Sequence, residues 1–153
     1  MKNFSDLLDI NQQLTVSVNI SPLNGNGDPK AWIKINDRIL FDSVLMFPVT
    51  ALIELPLLDP LTIEIGISDK IYNETLETAV VINSVNINGF EIVPAWTNLA
   101  NYQNDHNNNA PTSYLGFNGV WRLTISEPFY RWQHHVTGQG WLLEPVSQKN
   151  NTF

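Results

Sequence analysis

The sequence has no cysteine, which excludes disulfides, thiolate metal centres and thiol nucleophiles. Charge is scarce as well. Asp, Glu, Lys and Arg make up 15% of the chain, against about 25% in an ordinary domain. What charge there is leans acidic, with 8 Lys and Arg against 15 Asp and Glu and a formal net charge of −7. No cationic excess is available to displace counterions from phosphates, which argues against nucleic acid as a partner. Long apolar runs are also missing. Pro48, Glu54, Pro56 and Asp59 break the longest ones, so no segment approaches the roughly 20 residues of a membrane span, and no membrane insertion is expected. The first ten residues carry Asp6 and Asp9 without a continuous apolar stretch and do not read as a signal peptide. The nucleophilic-serine elbow G-x-S-x-G and the glycine-rich phosphate loops are absent. Histidine is limited to His106, His134 and His135, with no H-x-D or H-x-E pair. Adjacent residues on a strand point to opposite faces, so His134 and His135 do not readily share one ion.

What remains is a chain of 153 residues, 43% hydrophobic, long enough for one domain with a real core. Asparagine takes the place of charge, most densely over 104–109. Asn, Gly and Pro favour turns over helices. Period-2 patterning dominates. Leu14, Val16, Val18 and Ile20 alternate with polar residues, and so do Leu61, Ile63, Ile65 and Ile67. Ala31, Ile33 and Ile35, then Ile39 and Phe41, flank Asn36-Asp37 as a tight hairpin. Val49, Ala51, Ile53 and Leu55 form another alternating set. The β-branched run 79–87 reads as a central strand ending in Asn88-Gly89, the strongest short hairpin signal, and Phe90 to Val93 answers it before Pro94. Residues 96–113 show no periodicity and read as one long loop, of a length that is usually functional. Val120 to Ile125 alternates again, and 128–145 is expected to give one or two short strands. Eight to ten short strands without helical repeats between them predict an all-β fold, an antiparallel two-sheet sandwich, jelly-roll-like, with little or no helix. The predicted organisation is an N-terminal arm over 1–12, a single sandwich domain over 13–145 and a polar tail over 146–153.

Three constellations bear on chemistry. Glu64, Glu91, Glu127 and Glu144 are candidate carboxylates for glycoside hydrolysis, but a chain with so many acids offers pairs by chance. Asp105, Asn107 and Asn109 repeat a fragment of the D-x-[DN]-x-[DN] calcium loop, without its glycine or its bidentate acid. A second oxygen-rich loop at 68–74 completes that site only if folding brings it near. The aromatics are more informative. Trp96, Tyr102, Tyr114, Tyr130 and Trp132 fall in irregular segments. Aromatic rings beside Asn and Asp suit a sugar, with stacking below and hydrogen bonds at the rim, and they equally suit a protein interface. Trp96, Tyr102, Asn104, Tyr114, Tyr130 and Trp132 are therefore the expected contacts to glycan or partner, with Trp96, Tyr102 and Trp132 expected to be exposed. Trp121 and Trp141 are expected in the core or at an interface.

The segments 60–70 (PLTIEIGISDK) and 78–89 (TAVVINSVNING) resemble the late strands of carbohydrate-binding-module-like β-sandwiches, including the calcium-dependent xylan-binding kind. With 31–37 (AWIKIND), 114–121 (YLGFNGVW) and 138–145 (GQGWLLEP), the pattern is similar to small virion proteins of tailed bacteriophages, which use this sandwich in fibres, head fibres and decoration proteins. The resemblance covers 14–93 for the sandwich and rests on strand rhythm and a hairpin. It implies a non-catalytic structural or adhesion component located on a virion. The implied partners are other virion subunits, with a host surface glycan as a further one. Unpaired sheet edges add a homo-oligomer. No cofactor is required, calcium being the one candidate. The alternatives are a glycan-binding module with calcium dependence and a small glycan hydrolase.

Overall fold

The computed structural model describes residues 13–56, 60–106 and 112–138. Ten strands lie among them, in two five-stranded antiparallel sheets. In chain order they are β1 (Gln13–Asn24), β2 (Lys30–Ile35), β3 (Arg38–Val44), β4 (Val49–Pro56), β5 (Leu61–Ser68), β6 (Thr78–Ile87), β7 (Phe90–Val93), β8 (Asn101–Asn104), β9 (Tyr114–Leu115) and β10 (Gly119–Ile125). One sheet runs β4-β1-β6-β7, with β9 also on β6; the other runs β3-β2-β5-β10-β8. The predicted two-sheet sandwich is the fold observed. The expected arm at 1–12, the tail at 146–153 and Trp141 lie outside the described residues.

Alternation places the core. Val16, Val18, Ile20, Ile33, Ile35, Ile63, Ile65 and Trp121 are fully buried between the sheets, while their odd-step neighbours face outward. β6 buries Thr78, Ala79 and Val80 in succession, as a strand covered on both faces does. Asn36 and Asp37 both adopt positive φ, 49° and 66°, and so do Asn88 and Gly89, 50° and 85°. These are the geometries of two-residue hairpins whose twist matches their strands. Asn88 also ties its turn to β1, because its Oδ1 accepts from Thr15 N at 2.7 Å. Asn88→Ala loses that bond and strains the left-handed residue. We expect it to cost about 1–2 kcal/mol, read as a lower denaturation midpoint with unchanged slope.

Two segments differ from expectation. The chain over 128–145 begins not with a strand but with a helix, α1 (Phe129–Thr137). Phe129 and Trp132 are buried at i and i+3, Val136 packs at i+7, and Gly138 closes the helix in the left-handed conformation with its N–H bonded to the His134 carbonyl at 2.8 Å. The expected single loop over 96–113 contains a 3-10 turn (Thr97–Leu99) and β8, which pairs with β10 through Tyr102 opposite Trp121 and Asn104 opposite Gly119. Among the described residues no helix is long and apolar enough to cross a membrane.

Candidate functional site

The loops at the Thr78 end of β6 carry the densest polar chemistry of the described residues. Segment 69–77 joins β5 to β6, and the chain from β8 returns to the same end before β9 and β10. Asn118 locks the two together: its Oδ1 accepts from Lys70 N at 2.8 Å and its Nδ2 donates to Lys70 O at 3.1 Å. The side chain thus copies the pairing of a strand neighbour.

Lys70 lies at the centre. Its side chain is only 2% exposed. The ammonium donates to Glu77 Oε1 at 2.9 Å and to the Gly116 carbonyl at 2.5 Å, and sits 5.1 Å from the centroid of the Tyr72 ring. A carboxylate, a carbonyl and a ring face surround the charge, so its burial is compensated. Glu77 Oε2 accepts from the Tyr114 hydroxyl at 2.7 Å. Burial alone raises the Glu77 carboxyl pKa, but the bonds from Lys70 and Tyr114 outweigh it and hold the group below the ordinary Glu value. Burial, followed by Glu77 itself, pushes Tyr114 up to about 12, so its hydroxyl keeps its proton.

A second carboxylate is fixed beside it. The Tyr72 hydroxyl reaches Asp105 Oδ1 and Oδ2 at 2.7 and 2.9 Å and accepts from Asn118 N at 2.9 Å. His106 Nδ1 lies 2.7 Å from Asp105 Oδ1. The Tyr72 bond, then the His106 bond, lower the Asp105 pKa. The His106 ring stacks on Phe117 at 4.1 Å and 19°, and meets Tyr72 edge-on at 4.8 Å. Tyr72 and Tyr114 remain 41% and 40% exposed. This end therefore offers two oriented carboxylates as acceptors and three aromatic rings, those of Tyr72, His106 and Tyr114, with open surface.

The predicted contact residues, with Asp105 from the predicted metal set, divide between two places. Tyr102, Asn104, Asp105 and Tyr114 belong to this end. Tyr102 is a correction, since it is 3% exposed rather than an open contact. Its hydroxyl bonds the Phe117 carbonyl and accepts from Phe117 N at 3.0 Å, which props up the segment that carries Asn118. Asn104 Oδ1 caps the turn by accepting from His106 N at 3.0 Å. Trp96, Tyr130 and Trp132 sit with Phe90 and Phe129 where α1 packs near β7. Trp132 is also a correction, because α1 turns it inward; Trp96 is half-buried and Tyr130 is exposed. The fold does bring the oxygen-rich loop 68–74, with Lys70 and Tyr72, to Asp105; Phe117 and Asn118 had no signal in the sequence as site residues.

Of the three expected calcium ligands, Asp105 alone lies among the described residues. Asn107 and Asn109 lie outside the described residues, and both Asp105 oxygens are already bonded by Tyr72. Among the described residues no group of three or more His, Cys, Asp or Glu is placed to hold a metal. Of the candidate hydrolytic acids, Glu64 and Glu91 stand on different sheets, Glu127 pairs with His135 at 3.0 Å, and Glu144 lies outside the described residues.

The fold is similar to that of solved carbohydrate-binding modules. One is vCBM60 in complex with galactobiose, with a TM-score of 0.51 and 12% identity over 72% of this chain and 97% of that one. The other is a selenomethionine form of vCBM60, described through a circular permutation that links two families of calcium-dependent carbohydrate-binding modules; its TM-score is 0.51 and its identity 9%, over 73% of this chain and 91% of that one. At such identities the likeness establishes the sandwich and transfers no residue. No protein-family model matches the chain, and no curated protein matches it.

Proposed function

We propose that this protein is a non-catalytic glycan-binding module whose loop end, built around Lys70, holds a sugar without calcium. The observation that carries the reading is the pair of tyrosine-anchored carboxylates, Glu77 and Asp105, beside the exposed rings of Tyr72, His106 and Tyr114. Carboxylate oxygens accept from sugar hydroxyls, and aromatic faces take the C–H face of a pyranose. The likeness to carbohydrate-binding modules, one of them solved with galactobiose, supports the same reading. Lys70 supplies the positive centre that fastens these loops, so no external cation is needed for their shape.

A glycan array probed with purified protein, in calcium and again in chelator, tests this. We expect the same glycans to be bound in both, and Glu77→Gln with Tyr114→Phe to weaken that binding about tenfold, the equivalent of about 1.4 kcal/mol. Loss of all binding in chelator removes the calcium-free site. Absence of any glycan bound in either condition removes the module reading.

A place on a phage virion is the second reading. The observation favouring it is the apolar rim around the β3–β4 connection, where Met46, Phe47 and Leu52 are 54%, 72% and 65% exposed. Neighbouring subunits or further copies of the chain would cover that rim. Failure to sediment with particles, together with a monomer at all concentrations by analytical ultracentrifugation, would sink it.

A further inference from the structure

The outer face of the β3-β2-β5-β10-β8 sheet has no part in the loop site, yet it is built like a binding surface. Ile33, Ile35, Ile63 and Ile65 point into the core, so Trp32, Lys34, Thr62 and Glu64 point outward, with the Gly66 backbone on the same row. Trp32 stands opposite Gly66 across the β2–β5 pair. The indole lies against that glycine: a Cβ at residue 66 would fall on Trp32 Cε2, Cζ2 and Nε1. Glycine here is what lets a large flat ring rest on the sheet instead of standing off it. The next row along the strands is Lys34, Glu64 and Arg122, three neighbours in register. Arg122 Nε and Nη2 both approach Glu64 Oε2, at 2.7 and 2.6 Å. Lys34 Nζ lies 3.6 Å from Glu64 Oε1 and 5.8 Å from the Trp32 ring centroid. An open cavity of about 390 Å³, lined by Asn36, Asp37, Pro60, Thr62 and Glu64, continues the row beyond Glu64. From Thr62 to Gly66 the track runs about 13 Å at strand rise, a length of more than one sugar ring.

We infer that this face is a second glycan site, one that takes a neutral oligosaccharide chain lengthwise, with a ring stacked on Trp32 and hydroxyls bonded by Glu64, Arg122 and Lys34. The stack and the adjacent donor and acceptor groups are the chemistry of a pyranose, apolar on its faces and polar at its edge. Charge selects the class. Lys34 and Arg122 share Glu64, and Lys30 pairs with Asp69 at 3.5 Å. Across this sheet and its hairpin the four cations Lys30, Lys34, Arg38 and Arg122 stand with the four acids Asp37, Asp42, Glu64 and Asp69, while the whole chain carries −7. A uronate or sulfate would meet no excess of cations. This inference rests on the glycan-binding reading but not on the residues of the loop site.

The test is an amide and indole NMR titration with xylohexaose, cellohexaose and mannohexaose, and with a polyuronate as the acidic probe. The Trp32 indole N–H signal is expected to shift with a neutral hexaose. Trp32→Ala should weaken that binding at least about tenfold, the loss expected of a removed stack, while Glu77→Gln leaves the shift at Trp32 in place. Should the alanine variant misfold by circular dichroism, Glu64→Gln with Arg122→Gln keeps the ring and removes the polar row, with the same loss expected. Hexaose binding that survives both changes and vanishes in Glu77→Gln overturns the second site and leaves the loop site standing. Binding of the polyuronate in preference overturns the neutral class. A wild-type protein that binds no hexaose and no array glycan overturns both sites.

Discussion

Gly119→Ala is expected to be among the most damaging single substitutions in the described residues. Gly119 stands opposite Asn104 in the β8–β10 pair. A Cβ there would overlap the Gln103 carbonyl oxygen and lie 2.6 Å from Asn104 Cα. Both are backbone atoms, so no rotamer change relieves them. Overpacking in a close-packed protein costs typically 1–3 kcal/mol, and a backbone clash sits at or above the upper end, about 3 kcal/mol. For a chain of this length that corresponds to a fall in Tm of roughly 6–12 °C. The functional consequence follows from position. β8 delivers Tyr102 beneath Phe117 and leads straight into Asp105, whose N–H bonds the Asn118 carbonyl at 3.0 Å. Parting the two strands releases the Asp105–His106 side of the loop site. Differential scanning calorimetry of Gly119→Ala beside Val120→Ala, whose side chain faces outward, separates a backbone clash from a general strand effect. Equal melting temperatures for the two would disprove the close approach.

The fold was legible where local chemistry decides it. Alternation in β1 and β5 marks a half-buried strand because any one-residue slip would expose the whole apolar set. Asn36-Asp37 and Asn88-Gly89 mark hairpins because those residues tolerate positive φ. β8 was hidden because four residues carry one buried side chain, Tyr102, too few to form a pattern. α1 had a readable signature in Phe129, Trp132, Val136 and the terminal Gly138. The surrounding prolines and aromatics suit short strands equally well, which masks that signature.

The loop site was harder to read, for a physical reason. Its bonds span long separations: 46 residues between Tyr72 and Asn118, 37 between Tyr114 and Glu77, and 33 between Tyr72 and Asp105. No spacing rule connects such residues. The aromatic and Asn-rich composition pointed to Tyr102, Asn104 and Tyr114, and the calcium-loop fragment to Asp105; the fold does place all four at one end. The same reasoning misplaced Tyr102 and Trp132 at the surface, because an aromatic side chain in a segment without clear periodicity gives no sign of which way it faces. Lys70 lies in the oxygen-rich loop 68–74, but nothing in the sequence marks its side chain as buried. A lysine in a polar loop ordinarily reaches into water, and only the meeting of Glu77, Gly116 and Tyr72 around it makes burial affordable.

That burial makes Lys70→Met the most informative change at the site. Methionine fills similar space but donates nothing, so the Gly116 carbonyl loses its partner in a buried position and Glu77 loses its cation. A buried acceptor left unmade costs about 1–3 kcal/mol. Solvent reaches Glu77, whose side chain is 43% exposed, so its share is small. A total of about 2 kcal/mol, or roughly 4–8 °C in Tm, is expected. The pH dependence distinguishes the ammonium from mere packing. In the wild type, the Glu77 carboxyl lies below its ordinary value of 4.5. Its contribution is therefore fully present above that value and is lost as pH falls through the lowered one. In Lys70→Met the burial that raises the group remains, while its largest counterweight is gone. The acid-side loss of stability attributable to Glu77 should then shrink or reverse. Glycan binding at the loop end should fall together with it, and binding at the Trp32 face should persist. Stability curves from pH 3 to pH 7 that are parallel for the two proteins would mean that Lys70 acts as a packed stem and not as the cation that holds the loops.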